Sequence, residues 1–484
     1  MTRYHINNKG LVDECKAESP ETCKCNTLEH FDTFKEAQDY ADKKLKEEVE
    51  EERRQEKLKK EEKKLKERTE KTNVVNNVDS LVSYLGANNN INTEEEESNN
   101  GKEEKNISNF VDLTNQELTY NMFTNENFKY YDFSNSNLSG SIFSNTSLNN
   151  INFSNVDLRG VEFSNCTISN CNFDGAIFDN SKFTDSEITF SDFTNANITN
   201  TTFSENQIIS SSNFSNTIIN NVNLKNNRME GSTFKGTKFI NTTIEQSTMD
   251  FSNLDGAYFE NCNSDNVDLR FSTIKDTNIN SSSFDNTDFM TSKIENSNIV
   301  NSRLNGTDFM GANLNSTTFS DNEMENSKFD MALLKNVNFI RNKNKKSNFN
   351  NVQMDTVSFS ENDLSESDMT KIKGVNVDFN NTNLSEADFD ETKIVSSNFE
   401  NSNLKLTNFS NGLISKSTLN NVELLETNFY NTAFTDNQMN TIDLENFKFE
   451  QTTVDNTYVG NQSLSKMIDS YNKGRSKILN RFFN

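Results

Sequence analysis

The run Leu138-Ser-Gly-Ser-Ile-Phe143-Ser-Asn-Thr-Ser-Leu148-Asn-Asn-Ile-Asn-Phe153 decides the fold. A large apolar residue returns every five positions and continues as Leu158, Phe163, Ile168, Phe173, Phe178, Phe183, Ile188 and Phe193. Two residues before each of these stands something small, as at Ser141, Thr146, Val161, Cys166, Cys171 and Ala176. The remaining positions are almost all Asn, Ser, Thr, Asp or Gly. A period of five fits neither a helix, whose faces recur at 3.6 residues, nor a continued flat strand, whose faces recur at two. It fits a chain that turns a corner every five residues, with the small and the large residue pointing inward together. Four such sides close a square coil of about twenty residues that stacks on the next at ~4.8 Å, and turn formers occupy the corners.

With the triplets Ala196-Asn197-Ile198, Ala312-Asn313-Leu314 and Ala387-Asp388-Phe389, the pattern resembles that of the pentapeptide-repeat proteins. The resemblance spans roughly three quarters of the chain and implies a mainly β fold, a right-handed quadrilateral β-helix over residues 110–462. The rod would hold roughly seventeen coils and run ~80 Å. One scaffold of this kind hosts many roles, so fold alone leaves function open.

Composition agrees with a narrow coil. Only 32% of the 484 residues are hydrophobic and mean hydropathy is −0.81, values that without the repeat would point to disorder. A square coil needs only two inward residues in five. Phe outnumbers Tyr, 39 to 10, because a dry centre has no partner for a hydroxyl. No run of eighteen apolar residues and no signal-like N-terminus is present, so we expect a cytoplasmic chain, in the host cell or the virion if phage-encoded.

The net charge of −25 is uneven: residues 106–462 hold 46 acids and 23 bases, and residues 463–484 hold one acid and five bases. An acidic rod repels nucleic acid and anionic membranes and attracts a protein partner with a basic surface.

Residues 1–33 form a distinct small module. Both histidines, His5 and His30, lie there with Cys15, Cys23 and Cys25, residue types that ligate zinc, although their spacing matches no standard finger. The alternative is a loop with free thiols or a disulfide. No cofactor is otherwise required. The stretch from Arg3-Tyr4-His5 to His30-Phe31-Asp32 resembles a short N-terminal module of phage and phage-derived bacterial proteins, which implies an address or docking element. Residues 34–72 read as a charged exposed helix, with Glu50–Arg54, Glu56–Lys60 and Glu62–Lys66 in the favourable i, i+4 order. Leu58 and Leu65, seven apart, are too sparse for a full coiled-coil seam, so a solvated spacer is expected. Residues 73–109, rich in Asn and Glu, read as a flexible linker.

Within the rod the first register runs from Leu113 to Ile208, and one extra residue at Ser210–Ser212 starts a second, from Phe214 onward. Cys166, Cys171 and Cys262 occupy small inward slots and should be buried and inert. Ser264, Asn344 and Gly374 interrupt the central positions. Near Asn344 the bases Arg341, Lys343, Lys345 and Lys346 cluster, which suggests either a bulged loop that binds something acidic or a tolerated repeat defect. Residues 463–484 leave the pattern. Leu464, Met467, Ile468, Tyr471, Ile478, Leu479 and Phe482 recur at helical spacing, the mark of an amphipathic cap that could also join two copies in a homodimer.

No histidine lies in the rod to activate a hydroxyl, and no glycine-rich phosphate loop is present, so an enzyme is not expected. The leading expectation is a non-catalytic structural or protein-binding rod. The alternative follows from the family resemblance: some pentapeptide-repeat proteins mimic DNA and bind a type II topoisomerase such as DNA gyrase. Mimicry needs carboxylates gathered on one face, whereas along the sequence they look scattered.

Overall fold

The computed structural model describes residues 3–6, 12–15, 110–204, 207–440, 447–448, 450–471 and 473. The chain divides into two compact units, Met1–Glu97 and Ser98–Asn484. In the first, strands Arg3–Ile6 and Val12–Cys15 pair antiparallel, with Arg3 opposite Cys15 and His5 opposite Asp13. The charged helix expected over 34–72 and the linker over 73–109 lie outside the described residues. So do Cys23, Cys25 and His30.

The second unit is a parallel β-solenoid. Residues twenty apart pair in register, as Ile142–Ser144 does with Glu162–Ser164 and Asn298–Val300 with Thr318–Ser320. Central residues therefore stack in four columns, one for each side of the coil. Leu113, Phe133 and Phe153 begin side one; Leu118, Leu138 and Leu158 side two; Phe123, Phe143 and Phe163 side three; Phe128, Leu148 and Ile168 side four. Nearly every side closes on a residue with φ between 45° and 62°, most often Asn, whose side chain tolerates the left-handed region. Its backbone N–H donates to the neighbouring coil, as Asn115 does to the carbonyl of Ser134 at 3.1 Å.

The stacked columns of aromatic rings run on opposite sides of the coil, while extra rings such as Phe128 and Phe178 on the sides between meet them edge-on or tilted. From Phe123 to Phe234 the columns stand on sides one and three, for example Phe133–Phe153–Phe173–Phe193 at 4.7 to 5.3 Å. From Phe289 onward they stack on sides two and four, as in Phe309–Phe329–Phe349 at 4.7 Å. The exchange passes through the tilted pair Phe234–Phe239. Rings that overlap coil after coil couple neighbouring repeats by burial and by dispersion.

The small slots are polar for a reason that periodicity alone does not reveal. Their hydroxyls donate to a carbonyl 23 residues back, as Ser136 does to Leu113 at 2.8 Å and Thr277 to Leu254 at 2.7 Å. They also accept an N–H from the coil before, as from Gln116 to Ser136 at 2.9 Å. Cys166 keeps part of this pattern, its Sγ donating to the Phe143 carbonyl at 3.3 Å. All three rod cysteines are buried, and desolvation pushes the thiols of Cys171 and Cys262 up to about 12 and about 11.

One sequence expectation needs correction, and of the two readings of the break near Asn344 one falls away. The extra residue is not at Ser210–Ser212. Ile188 already pairs with Ile209, while Phe183 pairs with Phe203, so the insertion lies between Phe203 and Ile209. Ile209 is buried and Ile208 half-exposed. Adjacent isoleucines satisfy either register; Gln207 settles it by filling the small slot, its Nε2 donating to the Phe183 carbonyl at 2.7 Å. There is also no bulge at Asn344: Glu323, Lys343 and Asp363 bridge in unbroken twenty-residue steps, and Asn344 is fully buried in the column of Met324 and Leu364.

The C-terminal end is covered as expected. Tyr458–Val459 turns back on Gln462–Ser463 through Gly460, ending the parallel stack. A short helix from residue 464 to at least 471 follows, with Leu464 and Ile468 facing Phe429, Phe434 and Val454 of the last coils. No helix among the described residues is long and apolar enough to cross a membrane.

Candidate functional site

Assigning each charge to its side reveals a segregation that is hidden along the sequence. Between residues 230 and 430, 20 of 29 carboxylates stand on sides three and four, against eight bases. Sides one and two carry nine acids and nine bases and cancel. The first six coils show no such bias.

Side four supplies the most regular part of this face. Asp268, Asp288 and Asp308 stand on successive coils in one row. Each carboxylate accepts the N–H two residues ahead, from Arg270 at 3.1 Å, Met290 at 2.9 Å and Met310 at 2.9 Å. This turn-forming bond orients the row. Partial burial raises the pKa of Asp288, and the charges of Asp268 and Asp308 on either side raise it further. Arg270 relieves one end of the row, donating from Nε and Nη2 to Asp268 at 2.8 and 2.6 Å. On side three Asp285 is held by Arg303 and by the N–H of Asn305 at 2.8 Å.

The basic quartet, one reading of which is a binding loop, lies on the solenoid surface with acids beside it. Arg341 pairs with Asp321 at 2.7 Å and Lys343 with Glu323 at 3.1 Å, one coil back. Lys345 and Lys346 share Glu366, one coil on, at 2.7 and 3.3 Å. These contacts hold the carboxylates of Asp321 and Glu366 below their ordinary range. In the N-terminal unit, His5 and Cys15 lie on the two strands of the hairpin.

One buried feature escaped the sequence reading. Asn322, Asn342 and Asn362 fill the same small slot on three successive coils and form an internal ladder. The Asn322 and Asn342 N–H groups donate to the Oδ1 of the asparagine above at 2.9 and 2.6 Å. Their Nδ2 atoms donate to the carbonyls of Ile299 and Phe319 at 2.8 and 2.9 Å. Three asparagines at twenty-residue spacing were the available signal.

Fold and surface together define a repeat scaffold with a charged flank. The pentapeptide repeat region model matches residues 156–234 and 343–419, and the model of eight-copy pentapeptide repeats matches 132–170 and 252–289. The chain belongs to the pentapeptide-repeat proteins. Among solved structures, QnrB1, a plasmid-mediated fluoroquinolone resistance protein, is 16% identical over 40% of this chain and 94% of its own, with a TM-score of 0.22. HetL, from the cyanobacterium Nostoc and involved in regulating heterocyst differentiation, is 13% identical over 48% of this chain and 92% of its own, at 0.22. A tailspike protein of Escherichia coli bacteriophage HK620 is 11% identical over 68% and 69%, at 0.25. Likeness this slight says nothing about what the chain binds. No curated protein sequence matches it.

Proposed function

We propose that the chain is a non-catalytic scaffold that holds a protein partner with a basic surface against sides three and four between residues 230 and 430. The gathering of 20 of 29 carboxylates on those adjacent sides carries the reading. A rigid, evenly spaced acidic face favours basic partners by complementarity and speeds their encounter.

Charge density argues against DNA mimicry as the first choice. This stretch spans ten coils, ~48 Å at the strand spacing, and its net twelve negative charges amount to one per ~4 Å, against one per ~1.7 Å of duplex axis. A DNA gyrase supercoiling assay tests that alternative directly. The zinc reading of His5, Cys15, Cys23, Cys25 and His30 belongs to the proposal as an anchoring module, and metal analysis of the purified chain tests it.

The docking face is tested with the full chain and a lysine homopeptide as probe. Replacing Asp268, Asp308, Asp368 and Asp388 by Asn, a residue the same row already carries at Asn348 and Asn408, should weaken binding strongly. Replacing Asp255 and Asp378 by Asn, with Glu260 and Glu361 by Gln, on sides one and two should leave it unchanged. Equal losses in the two sets would refute the reading.

A further inference from the structure

We propose that the outer trough of side one between Leu333 and Lys393 binds a free anionic amphiphile, a small molecule with one apolar tail and one carboxylate, sulfonate or phosphate head. The trough lies across the coil from side three and does not depend on the acidic-face reading above.

The even charge balance of sides one and two hides a local excess. On side one, the outward residues before each central position form one row along the stack, and those after it form another. In the first row Lys293 pairs with Glu295, its neighbour across the strand, at 3.1 Å. Farther along the same row Lys373 and Lys393 stand in register on adjacent coils. In both of their strands the place that Glu295 fills is taken by a valine, Val375 or Val395. Neither lysine makes an ion pair among the described residues, whereas Arg341, Lys343, Lys345 and Lys346 all do. Two unpaired ammonium groups on neighbouring strands, ~4.8 Å apart along the stack, repel each other. A shared anion removes that repulsion and accepts charge-assisted hydrogen bonds from both.

The two rows enclose a trough of about 440 Å³ that runs up to Lys373. Small-molecule sites occupy roughly 300–1,000 Å³. The walls stand two strand residues apart, ~7 Å, and three coil steps separate Leu333 from Lys393, ~14 Å. That width admits an alkyl chain or a flat ring system and is too narrow for a helix of ~10 Å diameter. Leu333 and Val375, 43% and 44% exposed, stand on opposite walls, with Leu334 and Met354 beneath. A tail laid over them removes that aliphatic surface from water. Asp355, the carboxylate of the lining, is in register with Lys335, so the positive end of the trough is the one at Lys373.

The space opens outward and not into the core. A Cβ on Gly374 would meet Val377 at 2.9 Å and Ile372 at 3.7 Å, so residues of the flanking slots already fill the interior there. Strands Gln353–Ser358 and Lys373–Asp378 run six residues through the corner and pair at five positions, which gives the trough a preformed floor.

Fluorescence titration of the full chain with anilinonaphthalene sulfonate, an apolar ring system bearing one sulfonate, tests this. A single site should saturate, and decanoate should displace the dye. Lys373→Glu with Lys393→Glu should weaken binding at least about tenfold, and Val375→Asp should do so independently. Lys182→Glu with Lys238→Glu, the same change of charge on sides three and two, should leave it unchanged. All five positions are exposed, so the coils should persist in every variant, as thermal unfolding would verify. No saturable binding, or equal losses in the trough and control variants, would overturn the proposal. Displacement of the dye by polyglutamate and not by decanoate would also overturn it, in favour of an acidic protein partner. Cosedimentation with phosphatidylglycerol vesicles without displacement by decanoate would overturn it in favour of a membrane surface.

Discussion

The Oδ1 of Asn342 accepts the backbone N–H of Asn322, one coil below, at 2.9 Å, while its Nδ2 donates to the carbonyl of Phe319. One side chain thus satisfies two buried main-chain groups between coils. Asn342→Ala should leave a donor and an acceptor unpaired in a dry interior and cost about 2–4 kcal/mol. Asn342→Ser should recover much of that, because serine bridges the same two groups in other slots, as Ser136 does. Thermal unfolding of the two variants checks the order.

Asn344 makes the opposite case. It fills a central slot between Met324 and Leu364, its Oδ1 has no hydrogen-bond partner, and its Nδ2 meets only the Met324 sulfur at 3.6 Å. Asn344→Leu should stabilise the rod by about 1–3 kcal/mol through removal of an unpaired buried amide. A lower melting temperature would overturn this expectation and show that the slot does not accept the larger side chain without strain.

The cysteines offer a chemical probe of the slots. A thiol at about 12, as for Cys171, is thiolate to roughly one part in ten thousand at pH 8 and is shielded as well. Peptide mapping after brief alkylation should find Cys171 and Cys262 unmodified in the native chain and fully modified in guanidinium. Native labelling at either would contradict the stacked coils there.

Asp321 tests the surface pairs by pH. Its hydrogen bond to Arg341 lowers its pKa, so the pair's contribution is complete above the ordinary carboxylate value of ~3.9 and disappears as pH falls through the lowered one. Carboxyl-detected NMR titration should show Asp321 below that value in the wild type and back near it in Arg341→Ala. An unchanged titration would mean that the pair does not persist in solution.

Particular residues mark how far the sequence could be read. Leu138 to Phe193 announce the coil because inward and outward positions are set within each pentad, by alternation over two or three residues. For the same reason the burial of Cys166, Cys171 and Cys262 followed directly, and the helical spacing of Leu464 and Ile468 marked the cap. Ile208 and Ile209 defeated the reading, since adjacent identical residues leave the local pattern degenerate and only the pairing with Ile188 separates them. At Asn344 a polar residue in a central slot left a bulge and a tolerated repeat defect both open, and stacking on the neighbouring coils holds it in register as a defect.

By itself, then, the sequence determined which residues face the core and that the pentads wind into stacked coils, because those choices depend on nearest neighbours along the chain. Only the tertiary structure decided which residues share a side. That depends on residues twenty apart, and a single insertion between Phe203 and Ile209 shifts every later position by one. Charges scattered along the chain become an acidic flank, and three separate asparagines become a ladder, only once that wrap is counted correctly.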